Sequence, residues 1–123
     1  MGLLDSNIVI TAGNSGSAEL NGLLDDGPAA VSAITKVEVL GFHGLVPATK
    51  AAFEIFFRNV MVFEVDSVVI DKAISLRQTR KMSLGDALIA ATALVHNLPL
   101  VTRNIRDFSW IVSLTLIDPN AAP

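Results

Sequence analysis

The chain has 123 residues, 51% apolar and 17% charged, with a net charge of -3. That length suits one domain spanning residues 1–123, and the composition excludes a disordered chain. The absence of cysteine excludes disulfides and thiolate metal sites and fits a reducing cytoplasm.

Met1-Gly2-Leu3-Leu4 begins an apolar strand that reaches a carboxylate at Asp5. Leu3, Leu4 and the run Ile8 to Ile10 read as a buried strand leading into a loop. Gly13, Asn14, Ser15, Gly16 and Ser17 are turn formers, with Ser17 placed to N-cap a short helix bearing Leu20, Leu23 and Leu24. Asp25-Asp26-Gly27-Pro28 ends that helix. Ala29 to Ile34 suits a second buried strand. Thr35 then stands three residues before Glu38, the spacing of a capping box, which gives Glu38 a purely structural alternative.

Ala48 to Val60, with Phe53, Ile55, Phe56 and Phe57, predicts a helix either buried or part of an interface. Met61 to Val65 alternates as a third strand. Asp66-Ser67 opens a helix with Val69, Ile70, Ala73, Ile74 and Leu76 at helical spacing and a basic end at Arg77, Arg80 and Lys81. Cations at a helix C-terminus complement its dipole; contact with RNA is the sharper reading of the patch. Ser83-Leu84-Gly85-Asp86 begins a further helix, Ala87 to His96, and Asn97 ends it. Pro99 to Thr102 predicts a fourth strand, Arg103 to Phe108 a loop, and Leu114 to Ile117 a short last strand before Asp118-Pro119.

Strands alternating with helices over short connections imply a three-layer α/β/α sandwich around a mostly parallel sheet of about five strands. The N-terminus lacks a basic region ahead of an apolar segment, so no signal peptide is expected. The longest nearly unbroken apolar stretch, Ala87 to Val95, is far short of the ~20 residues that span a bilayer. A soluble, cytoplasmic protein is expected.

Four acids gather at one sheet edge in this scheme. Asp5 ends the first strand, Glu38 and Asp86 stand in the first turns of helices, and Asp107 follows the fourth strand. Ligand sites of open α/β sheets lie at the carboxyl ends of strands. A helix cap or turn residue is the plain alternative for Asp5. Two carboxylates about 4 Å apart repel by roughly 4 kcal/mol at an effective dielectric near 20, and helix dipoles offset only about 0.3–1 kcal/mol each. Close packing of the acids therefore implies protonation or a bound divalent cation. Oxygen ligands without thiolate or a histidine cluster favour Mg²⁺ or Mn²⁺. Such a site suits phosphodiester hydrolysis without a protein nucleophile, and no Ser/His/Asp constellation is evident. His43 and His96 lie in apolar helical sequence and read as structural; Trp110 reads as packing. The acidic balance leaves two readings: nucleic acid is not the partner, or the negative charge is concentrated in a cation site.

Four stretches carry a family resemblance. Leu3-Leu4-Asp5-Ser6-Asn7, Ser32 to Val39 with Glu38, Asp86 to Ala93, and Leu100 to Phe108 resemble, in order, the motifs of the PIN-domain ribonucleases. The resemblance is strongest to VapC-type toxins of bacterial type II toxin–antitoxin systems. It spans nearly the whole chain. It implies Mg²⁺- or Mn²⁺-dependent RNA cleavage, inhibition by a small antitoxin, and a homodimer. Asp5 and Asp86 would hold the principal metal, with Glu38 and Asp107 completing the acidic pocket. Ser6, Asn7, Thr102 and Asn104 would orient water, phosphate or the acids. Arg77, Arg80, Lys81, Arg103 and Arg106 are candidates for RNA phosphate contact. Many relatives carry an acid at the place of Asn104, so Asp107 supplies the fourth carboxylate alone. That amide keeps open a second reading, a catalytically inactive binding module of the same fold. A phosphate-accepting signalling domain, with Asp66 as acceptor, is a third; Thr102-Arg103 offers no Lys for it.

Overall fold

The computed structural model describes residues 1–25 and 27–120. Five short strands form one sheet: β1 (Gly2–Leu4), β2 (Ala29–Ser32), β3 (Met61–Phe63), β4 (Leu100–Val101) and β5 (Leu116–Ile117). Their spatial order is β3-β2-β1-β4-β5 and every pairing is parallel. The described residues also form seven helices: α1 (Ser6–Ser15), α2 (Ser17–Asp25), α3 (Ala33–Leu40), α4 (Pro47–Asn59), α5 (Ser67–Thr79), α6 (Leu84–Val95) and α7 (Ile105–Phe108). The expected α/β/α class is borne out.

Period-two side-chain alternation divides the core between the two faces of the sheet. Leu3, Ala30 and Leu100 pack with α5 and α6 through Val69, Ala73, Ile89 and Ala90. Their neighbours Leu4, Val31 and Val101 pack on the other face with α1 and α4 through Ile8, Val9, Phe53 and Phe56. The small residues of α6 let it lie close against the strands, and its run from Ala87 to Ala93 is buried throughout. Phe53 comes so near α1 that a Cβ on Gly13 would collide with its ring.

Several sequence expectations are corrected. Ile8 to Ile10 do not continue a strand but lie inside α1, where Ile8, Val9 and Gly13 share the buried side. The turn expected at residues 13–17 is narrower: α1 runs to Ser15, Gly16 breaks it at φ 136°, and Ser17 opens α2 rather than capping it. Of the turn expected at 25–28, Asp26 lies outside the described residues. β2 stops at Ser32, and Ser32, not Thr35, caps α3, accepting from the Ile34 amide at 3.4 Å. α5 opens at Ser67 as expected, and Asp66 caps it, accepting from the Val69 amide at 3.0 Å. The helix expected from Ala87 begins at Leu84. α7 occupies the stretch read as loop, and β3, β4 and β5 are shorter than expected. His43 lies in an exposed turn, whereas His96 ends α6 and stacks on Phe63 with ring centroids 4.0 Å apart. α4 divides its apolar residues: Phe53, Phe56 and Phe57 are core, while Ile55 is exposed. Among the described residues no helix is long and apolar enough to cross a membrane.

The strand order reverses direction at β1, with β2 on one side and β4 on the other. In doubly wound sheets the crevice at the carboxyl ends opens at such a switch point. Asp5 is the first residue beyond β1, so chain topology alone puts a carboxylate there.

Candidate active site

Asp5 occupies the N-cap position of α1 but makes no capping hydrogen bond with its side chain. Its Oδ2 instead accepts from Thr102 Oγ1 at 2.7 Å, across to the end of β4. Asp5 is buried, 3% exposed. Burial pushes its carboxyl above the usual 3.8; the Thr102 hydroxyl and the Ser6 and Asn7 amides oppose the rise. A carboxylate buried at the switch point at a cost in solvation, and bonded across to β4 as well as stabilised by the first amides of α1, does more than cap a helix.

Thr102 has one hydroxyl proton, which goes to Asp5, so its oxygen is left to accept. It accepts from the Asn104 backbone amide at 2.9 Å. The Asn104 side chain then donates through Nδ2 to Asp107 Oδ2 at 2.8 Å. Asp5, Thr102, Asn104 and Asp107 thus form one hydrogen-bonded series, in which an amide positions the fourth acid.

A second series orients Glu38. Ser6 Oγ donates to Glu38 Oε1 at 2.7 Å and lies 2.9 Å from Thr35 Oγ1. With the Ser6 proton committed to the carboxylate, Thr35 is the donor in that pair. The capping box expected between Thr35 and Glu38 is therefore not formed: both residues turn toward α1. Glu38 also lies against the start of α6, where a Cβ on Gly85 would meet Oε2 at 2.5 Å.

Asp86 stands in the first turn of α6, capped by Ser83, whose Oγ accepts from the Asp86 amide at 3.1 Å. Its carboxyl is raised above 3.8, first by burial and next by the charge of Asp5; the Ser83 hydrogen bond lowers it, and Asp107 and Glu38 raise it further. Each of the other three acids thus lies within electrostatic reach of Asp86. Among the described residues, however, no three acids close into a ready-made metal-binding group. The donor set still fits Mg²⁺, which is usually held by one or two carboxylates and keeps several of its waters. Asp5 and Asp86 would be those ligands, with Glu38 and Asp107 reached through water.

Of the other expected residues, the exposed Asn7 reaches Asp5 only through its backbone amide. Arg77, Arg80, Lys81 and Arg106 line a groove of about 710 Å³ that also includes Asp86, Asp107 and Trp110; Arg103 is exposed and does not line it. Sequence reasoning missed Thr35 and Gly85 as parts of the site. The signal for Thr35 was its three-residue spacing from Glu38, which places both on one face of α3.

The PIN domain family matches residues 2–111. Among solved structures, a chain of the toxin–antitoxin complex from Klebsiella pneumoniae is 30% identical, with a TM-score of 0.78, 99% of this chain covered and 100% of that one. A chain of VapBC-1 from nontypeable Haemophilus influenzae is 27% identical, with a TM-score of 0.73 and coverage of 94% and 96%. A chain of VapBC2 from Rickettsia felis, bound to a promoter DNA fragment, shares the fold at 24% identity, with a TM-score of 0.77 and coverage of 94% and 96%. No curated protein matches the chain.

Proposed function

Because the chain belongs to the PIN domain family, we propose that it is a Mg²⁺- or Mn²⁺-dependent endoribonuclease and the toxin of a toxin–antitoxin pair. The observation that carries the reading is the carboxylate of Asp5, buried at the switch point and bonded across to Thr102 at the end of β4. Asp86 lies within electrostatic reach of it, and Glu38 and Asp107 lie within reach of Asp86.

The ion, when bound, supplies a water of lowered pKa and stabilises charge on the attacked phosphate. The protein's own groups do the rest. Asp5 and Asp86 offer charged oxygens from two elements that the packed core holds in place. Glu38, fixed by Ser6, is the acid free to take a proton from water at the sheet edge. Asp107, fixed by Asn104, completes the negative field on the far side.

Purified protein is expected to cleave single-stranded RNA in Mg²⁺ or Mn²⁺. Intact RNA after prolonged incubation in millimolar Mn²⁺ would favour the second reading, an inactive binding module. Two observations speak for that alternative: the amide at Asn104, and the lack of a preformed three-acid group among the described residues.

Gly85→Ala gives a sharper test of Glu38. The new methyl would displace Glu38 Oε2, the end of a flexible side chain, so the fold should tolerate it. Ala also favours the helix over Gly by about 0.5–1 kcal/mol. Unfolding temperature should hold or rise while the cleavage rate falls about 100-fold, roughly the loss of one positioned proton-transfer group at the low end of its range. An unchanged rate would remove Glu38 from the reaction.

The relatives' toxin–antitoxin complexes support a small antitoxin as partner of this chain. Two further grooves are lined mainly by apolar residues. One, about 760 Å³, includes the exposed Ile70, Ile74 and Leu84; the other, about 440 Å³, runs from exposed Phe42 and Val46 to Glu38. We assign antitoxin contact and homodimer formation to these surfaces. Light scattering should give twice the 13.0 kDa chain mass for the free protein.

A further inference from the structure

Trp110 is the chain's single tryptophan. It packs in part against the core formed by α5, α6 and Phe108, yet it also lines the groove of about 710 Å³. The Arg80 guanidinium carbon lies 5.7 Å from the centroid of its ring. Arg77, Lys81 and Arg106 line the same groove and are exposed. Arg77 Nε donates to the Met82 carbonyl at 3.2 Å, which holds that guanidinium at the groove wall. Asp86 and Asp107 line it too, so the groove opens onto the proposed metal site.

The chain as a whole carries -3, so four cations beside two of its acids are a local reversal of charge. Cations alone would suit any polyanion. An aromatic face among them is specific to a ligand with both phosphates and flat rings. An acidic protein segment would use the cations and leave the indole idle.

We propose that this groove holds the nucleotide next to the scissile phosphate, its unpaired base stacked on Trp110 in place of the Arg80 guanidinium and its phosphate among Arg77, Lys81 and Arg106. The assignment rests on the ribonuclease reading above and adds a consequence to it. Only a base free of its helix can reach the indole, so Trp110 selects single strands. Arg80, exposed and displaced by the base, joins the phosphate contacts.

The test uses Trp110 as its own reporter, in Asp5→Asn protein so that RNA stays intact. A short oligouridylate should quench the indole emission saturably, and a duplex of equal length should bind without that quenching. Fluorescence anisotropy of labelled RNA reports binding independently. Trp110→Phe should bind within a few-fold of the parent, while Trp110→Leu should bind roughly 5- to 100-fold more weakly, the range of one lost stack. If Trp110→Leu does not fold, the quenching and the exposed-site variant Arg80→Ala remain; the latter should bind less tightly yet still be quenched. RNA bound with unchanged emission, or Leu binding as well as Phe, would overturn this assignment and leave the nuclease standing. An oligoglutamate of matching charge that binds as tightly as RNA would reassign the groove to an acidic protein segment. Absence of both RNA binding and wild-type cleavage would overturn the assignment together with the ribonuclease reading.

Discussion

Asp5→Asn is expected to lower RNA cleavage by about 10²–10³-fold or more, the scale of removing one preorganised electrostatic group from an active site. The same substitution should raise the melting temperature of the metal-free protein at neutral pH. Asn keeps an oxygen that can accept from Thr102 Oγ1, so the 2.7 Å hydrogen bond survives in kind. What disappears is a buried charge, whose desolvation outweighs the acceptor oxygen lost to the Ser6 and Asn7 amides. Burial holds the Asp5 carboxyl above its ordinary 3.8, so folding favours its protonated form. The stabilising contribution of such a group is fully present below the unfolded pKa and is lost as pH rises through the folded one. At neutral pH the wild type bears the ionised, disfavoured form and the variant does not. A change of 1 kcal/mol moves the melting point by about 4 °C in a domain of this size, which a thermal melt resolves. Lost activity with raised stability separates a functional carboxylate from a structural one. An Asn variant that is both active and less stable would assign Asp5 to the fold.

Removing divalent metal should have an effect of equal size on cleavage. Chelation is expected to stop the reaction, and Mg²⁺ or Mn²⁺ to restore it. Stability should respond in the opposite sense to that of the Asp5→Asn variant. An ion bound only by the folded chain adds about 2.7 kcal/mol at a concentration 100 times its dissociation constant. It binds the ionised acids and so competes with protons. Asp5 and Asp86 both titrate above 3.8, Asp86 through burial first and the charge of Asp5 second. The metal-induced rise in melting temperature should therefore shrink as pH is lowered toward those raised values. In Asp5→Asn the rise should nearly vanish. A rise independent of pH and of Asp5 would place the ion elsewhere.

The larger plan was open to reading from residues. Alternation of strand and helix gave the layers, and four motifs in order gave the family, which the match over residues 2–111 bears out. What escaped depended on competition between partners. Ile8 to Ile10 is too short an apolar run to separate strand from helix by period, and burial on the α1 face decided it. Thr35 had the right spacing to cap, but Ser32 stands where the chain leaves β2, and the Thr35 hydroxyl is engaged by Ser6. α7 is four residues long, below what periodicity can detect. The pairing of Arg80 with Trp110 joins the end of α5 to the chain beyond α7, a contact that no local pattern announces. At the site, the acids were legible as types at strand and helix ends. Their hydrogen-bonded supports were only partly so: Thr102 and Asn104 were named, and the order in which they pass from Asp5 to Asp107 needed the structure.

The central claim is that Asp5 and Asp86 share a divalent ion. Its most direct measurement is anomalous diffraction from crystals soaked in Mn²⁺. A peak is expected at ligand distance, about 2.1 Å, from carboxylate oxygens of both residues, with Glu38 and Asp107 reached directly or through water. A fully soaked crystal with no peak between Asp5 and Asp86, or with Mn²⁺ held only by other residues, would contradict it.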